Sequence, residues 1–313
     1  MTIAPRKVFA LNAPLRNSAG RSAFGLILRA ASCAVLIIPV AKALAANDDG
    51  VANASVPNIY LDLRTIYAQV PAGSLAFGFG HPTLFNTQTL AASGSAVFPA
   101  GVPAAKSLNM DFPLTVDVTD SVSLYAGVSG SSTNFGSTGF SSFQVTSWNI
   151  GFQADLYQQN GGTFPTVTLQ STITQSIPNG PLGTTSFNNI LEFDYALDSD
   201  ETRGFLGGVQ YTRTDAGSAL GRINPNTIAY VGGYYQWPND WKFTGRVGVQ
   251  SFEGAQLMNV ASIQPFAQPI VRLDLDRMDD NDNRLFGLTA EIMWVPKPAY
   301  QLTFRTPLYA VKN

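Results

Sequence analysis

This chain has very little cysteine, histidine or charge. Cys33 is its only cysteine and His81 its only histidine in 313 residues. Past Cys33 there is therefore no disulfide framework, no thiol nucleophile and no thiolate metal site. A single histidine gives no His-based metal constellation either. Charged residues make up 13% of the chain, about half the share of an ordinary soluble domain at about 25%. Hydrophobic content, at 45% with a mean hydropathy of +0.06, is ordinary. Charge is what is missing. Downstream of residue 45 no apolar run approaches the roughly 20 residues that a membrane-spanning helix needs. If this part of the chain crosses a bilayer, it does so with strands, because only helices and closed barrels satisfy their backbone in lipid.

The first 45 residues have a character of their own. They hold no acid; the first is Asp48. They carry Arg6, Lys7, Arg16, Arg21, Arg29 and Lys42. The apolar stretch Ala30–Val40 comes next, then Ala43-Leu44-Ala45, the small-x-small pattern of a signal-peptidase site. The expected domain organisation is a signal peptide over 1–45, cleaved after Ala45, and one domain over 46–313. A single-pass anchor and an organelle transit peptide are the alternatives. The leader takes six of the 19 basic residues and none of the 21 acids. The remainder carries 13 basic against 21 acidic residues, a formal net charge of −8, which argues against nucleic acid as a partner.

Beyond the leader the chain alternates with period two. Tyr300, Leu302, Phe304 and Leu308 alternate with Gln301, Thr303 and Arg305. Phe286, Leu288, Ala290, Ile292 and Trp294 alternate with Gly287, Thr289 and Glu291. Trp241, Phe243, Val247 and Val249 alternate with Lys242, Thr244, Arg246 and Gln250. The same rhythm recurs along the chain. It predicts twelve strands: 58–68, 108–118, 121–129, 145–156, 165–176, 187–196, 203–213, 226–236, 241–251, 267–276, 284–294 and 299–309. Most match the roughly 9–11 residues that a tilted strand needs to cross a bilayer. Connections after even-numbered strands are mostly short and rich in Asp, Asn or Pro. Those after odd-numbered strands are longer and rich in Gly, Ser and Asn, apart from Pro296-Lys297-Pro298. Short turns at one end and long loops at the other are the outer-membrane barrel arrangement.

The expected fold is thus an all-β, antiparallel transmembrane barrel of about twelve strands in the outer membrane of a Gram-negative cell. Residues 69–107 are a long loop, a plug or an extra hairpin that would make fourteen strands. A soluble secreted β-sandwich is the main competitor. Tyr60, Tyr67, Trp148, Tyr157, Tyr211, Trp237, Trp241, Trp294 and Tyr300 fall near strand ends, where an aromatic girdle is expected.

No catalytic constellation is present. His81, in Gly80-His81-Pro82, is the one candidate base, and no serine motif accompanies it, so no enzyme activity is expected. The acid-rich Asp276–Asp282 lacks the regularity of a Ca²⁺ loop. No cofactor or metal is expected. The informative residues are those that the alternation turns inward: Asp62, Arg64, Asp117, Asp155, Glu192, Asp194, Lys242, Arg246, Arg272, Asp274, Glu291 and Arg305. With both signs present, they serve either as structural ion pairs or as the lining of a gated, ligand-sized path. The expected partners are the lipid bilayer with its lipopolysaccharide, the barrel-assembly machinery and a small-molecule solute.

Several runs in order carry a family resemblance. They are Thr115–Tyr125 with its Thr-Asp turn, Trp148–Tyr157, Phe164–Gly180, and Ala229–Gln236 with the Pro-Asn-Asp-Trp turn after it. Over about 110–310 the chain resembles the outer-membrane transporters named for the meta pathway of phenol degradation. The resemblance implies a barrel that passes small, often hydrophobic or aromatic, compounds.

Overall fold

The computed structural model describes residues 58–72, 104–135, 139–177, 183–257, 261–279, 284–294 and 298–311. The leader, His81 and most of 69–107 lie outside the described residues. The strands are β1 (Asn58–Val70), β2 (Ala105–Thr119), β3 (Val122–Phe135), β4 (Gln144–Tyr157) and β5 (Thr166–Ser176). They continue as β6 (Thr184–Ala196), β7 (Arg203–Ala216), β8 (Gly221–Ile223), β9 (Asn226–Gln236) and β10 (Trp241–Phe252). The last are β11 (Ala255–Leu257), β12 (Ala261–Ile263), β13 (Phe266–Met278), β14 (Arg284–Met293) and β15 (Ala299–Val311).

Twelve of these close an antiparallel barrel in the order β1-β15-β14-β13-β10-β9-β7-β6-β5-β4-β3-β2. The three short ones, β8, β11 and β12, form a separate sheet within the connections β7–β9 and β10–β13. Strand β1 pairs along its length with both β15 and β2. The wall is therefore complete at twelve, and the fourteen-strand alternative is excluded: a hairpin from 69–107 has no place between β1 and β2.

The pairing register sorts every side chain to one face. Outward-pointing positions are apolar and open: Ile150 is 51% exposed, Phe205 62%, Val231 64%, Val247 53% and Phe304 49%. Inward-pointing positions include Asn188, Gln210, Asn226, Gln250, Gln268 and Glu291, all buried. This inverts the soluble pattern. An apolar outer wall of this extent in water would be an aggregation surface; against lipid tails it is matched. Leu191, Phe243 and Leu288 also lie on the outer face and are exposed, whereas Phe152 shares that face by register and is buried.

The exposed tyrosines and tryptophans gather at two heights. Tyr67, Trp148, Tyr211, Trp294 and Tyr300 lie toward the long-loop end, and Tyr157, Tyr235, Trp237 and Tyr309 toward the short-turn end. On β15, Tyr300 and Tyr309 are nine positions apart. At about 3.3 Å per residue and a tilt of about 40°, they are separated by about 23 Å along the barrel axis. That is close to the apolar band of an outer-membrane barrel, about 25 Å tall.

The short turns are built locally. Asp240 takes φ 62° between β9 and β10, where Asp240 N donates to Trp237 O and Trp237 N to Trp241 O. In the β4–β5 turn, Asn160 and Gly161 take positive φ. Gln159 ties that turn to the end of β6: its Nε2 donates to Ala196 O at 3.1 Å and its Oε1 accepts from Ala196 N at 2.8 Å.

The β6–β7 turn is closed by a carboxylate. Asp198 accepts from Thr202 N at 2.8 Å and Thr202 Oγ1 at 2.6 Å, and Arg203 Nε lies 3.3 Å away. These interactions, with the Thr202 hydroxyl foremost, hold the Asp198 carboxyl below the usual carboxylate range. A depressed acid contributes order above its unfolded pKa and loses it as pH falls through the folded value. The turn is therefore expected to stay ordered at neutral and mildly acidic pH and to loosen only below about pH 4, the ordinary range of an aspartate. Amide exchange at Thr202 measures this, and D198N should show the fast exchange at every pH.

Candidate functional site

The lumen is a consequence of period two. One residue in two on each strand must point inward, and the inward set of β1, β2, β6, β10, β13, β14 and β15 carries most of the charge. These side chains surround an internal cavity of about 380 Å³. Its ionic lining is Arg64, Arg246, Arg272, Arg284 and Arg305 with Asp111, Glu192, Asp274, Asp276 and Glu291. Charges of both signs face each other across a confined space, where their interactions are stronger than in open water.

One network crosses several strands. Asp274, 6% exposed on β13, is its centre. Arg272 donates to it through Nε at 3.0 Å and Nη2 at 2.9 Å. Arg246, from β10, donates through Nη1 at 2.9 Å, and Thr289, from β14, donates through its hydroxyl at 2.6 Å. The other arm of Arg246 reaches Glu192 on β6 at 3.4 Å. Glu192 also accepts from the Tyr230 hydroxyl at 2.7 Å. The Arg246 guanidinium lies 6.0 Å from the centre of the Tyr230 ring, within reach of a cation–π contact. Tyr230 can lie against the wall because its flanking inward positions are glycines. A Cβ at Gly208 would meet the Tyr230 hydroxyl at 2.8 Å, and one at Gly248 would meet Tyr230 Cβ at 2.9 Å.

Of the twelve residues picked out by alternation, Arg64, Glu192, Arg246, Arg272, Asp274, Glu291 and Arg305 line the cavity. The other five lie outside that lining, mostly nearer the short-turn end. Asp117 accepts from Ser123 at 2.6 Å. Asp155 accepts from Thr168 at 2.9 Å and Gln158 at 3.3 Å. Asp194 is hydrogen-bonded to Tyr234, and Lys242 Nζ sits 4.6 Å over the Tyr234 ring. Asp62 adjoins a register shift between β1 and β15. Three charged members of the lining are additional: Asp111, Asp276 and Arg284. Asp276 belongs to the acid-rich run, and Arg284 Nε lies 2.7 Å from it. That acid is half of an ion pair.

No family model matches the chain, and no curated protein matches it. Solved structures do resemble it. An outer membrane channel from Pseudomonas putida F1 aligns with TM-score 0.49 and 10% identity, over 83% of this chain and 100% of that one. A FadL homologue from Pseudomonas aeruginosa aligns with TM-score 0.41 and 9% identity, over 81% and 91%. The translocator domain of the autotransporter NalP from Neisseria meningitidis aligns with TM-score 0.41 and 9% identity, over 88% and 97%. At these identities the likeness is one of fold alone, and the barrel itself rests on this chain's own strand pairing.

Proposed function

We propose that this chain is an outer-membrane channel through which a small solute passes without chemical change. The observation that carries the reading is the inverted barrel, with its apolar outer wall, two aromatic girdles and an internal cavity lined by ten ionisable side chains. An apolar wall calls for a bilayer, and a strand-built span calls for the outer membrane, reached after removal of a signal peptide over 1–45. The barrel-assembly machinery inserts it there, the short turns face the periplasm and the long loops face the lipopolysaccharide. The resemblance to the meta-pathway transporters suits a small organic solute, hydrophobic or aromatic in part.

A second reading has its own support. The chord from Glu192 through Arg246 to Asp274 spans from β6 to β13 and could fill the lumen, leaving a structural or surface-interaction barrel. Conductance divides the two. In planar bilayers the wild-type protein should give discrete unitary currents, and liposomes containing it should take up small organic acids. E192Q/R246Q, which removes the chord, should raise unitary conductance severalfold. Silence from both proteins, with no uptake, leaves the filled barrel standing.

A further inference from the structure

Most ionisable groups in the cavity are paired, but two arginines are not. Arg246 and Arg272 share Asp274, and Arg284 holds Asp276. Arg64 on β1 and Arg305 on β15 face each other directly across the strand pair. Both point into the cavity. Each has a buried Nε with no hydrogen-bond partner, and neither makes an ion pair with a described residue. Asp111 sits opposite Arg64 on the other side, on β2. It is hydrogen-bonded to Ser129 and lies outside ion-pair distance of Arg64. Like charges opposite one another on neighbouring strands are destabilising, and a buried charge without a partner is costly. Two guanidinium groups, side by side on neighbouring strands and lining one cavity, place unpartnered donors beside the same space.

We propose that Arg64 and Arg305 together form a binding site for the carboxylate of a small organic monoacid, which is the solute class of the channel. This rests on the passage reading above for its biological sense, though not for its chemistry. Three features select the class. Two guanidinium forks match the two in-plane oxygens of a carboxylate. Five acids line the same cavity, so a dianion meets repulsion that a single charge avoids. Ile66, beside Arg64 on the same face, and Ile190 line the cavity too, giving the body of the acid an apolar seat.

The test is equilibrium binding to the full-length protein purified from membranes in detergent, by calorimetry, with sodium benzoate as the probe. Benzamide is its neutral isostere and sodium sulfate the inorganic competitor. Benzoate should bind one per barrel, benzamide about ten-fold more weakly or worse, and R64Q and R305Q should each cost about ten-fold. R305K keeps the charge, loses the fork and should fall between. Benzoate should also raise the temperature at which the wild-type band shifts on an unheated gel, and should not do so for R305Q. That band shift shows that each variant is folded. Equal binding of benzamide and benzoate, or undiminished binding by R305Q, overturns the site. Tighter binding of sulfate overturns the carboxylate assignment. Binding without liposome flux overturns the passage reading and leaves the site intact.

Discussion

D274A should be the most damaging single substitution in the lumen. Asp274 is buried and compensates two arginines at once. Removing it leaves Arg246 with only the longer contact to Glu192 and takes from Arg272 its closest carboxylate. Breaking a buried pair by deleting one partner costs about 3–5 kcal/mol, because the remaining charge stays buried. The Thr289 hydroxyl loses its acceptor as well. The expected result is a fall in the urea midpoint of the folded barrel in detergent, read by the heat-dependent gel shift, together with reduced yield in the membrane. D274N keeps an acceptor for Thr289 and part of the geometry, so it should lose less. R272M in the D274A background should recover part of the loss, since it removes a buried charge that has lost its Asp274 carboxylate instead of adding a contact. A D274A protein as stable as wild type would mean that water in the cavity already satisfies these arginines.

The wall was legible in the sequence because a barrel strand advertises itself by alternation. All twelve wall strands lie where period two places them, and the ends of most agree within a few residues. The exceptions have physical causes. Strand β3 runs on to Phe135, although the run Gly130–Thr133 is small or polar on both faces and reads as loop. What extends it is the ladder offered by β2, whose Ser107 and Asn109 pair with Thr133 and Ser131. Strands β8, β11 and β12 are three residues each, too short to show any period, and exist only through pairing among loops distant in sequence. Within the lumen, alternation finds which charges point inward but not which meet. Arg246 and Glu192 are 54 residues apart, and their contact depends on the curvature of the closed wall. Asp111, between Met110 and Phe112, carries the same signal as the twelve residues named from sequence. Arg284 does not, because the irregularity at Arg277 and Met278 shifts the register before it.

An arginine on the outer wall should act oppositely to one in the lumen. Phe304 lies midway along β15 and Val247 midway along β10, both open on the apolar face. Near the midplane of a bilayer, arginine on the lipid face of a barrel costs about 2–4 kcal/mol. F304R and V247R should each lower stability by that amount in lipid vesicles, and the double variant by about the sum, since the sites lie on strands separated by β13 and β14. The comparison is Q153R. Gln153 faces the cavity beside Gln170, where a guanidinium finds polar neighbours, so its cost should stay within about 1 kcal/mol. Urea titrations of the three proteins in thin phospholipid vesicles give the ranking directly. In detergent the gap should narrow, because a micelle lets water and head groups reach the outer wall, whereas a bilayer holds the arginine about half a membrane thickness from either. If Q153R proves as costly as F304R in vesicles, the inward and outward faces have been exchanged, and the cavity lining would have to be read from the other half of every strand.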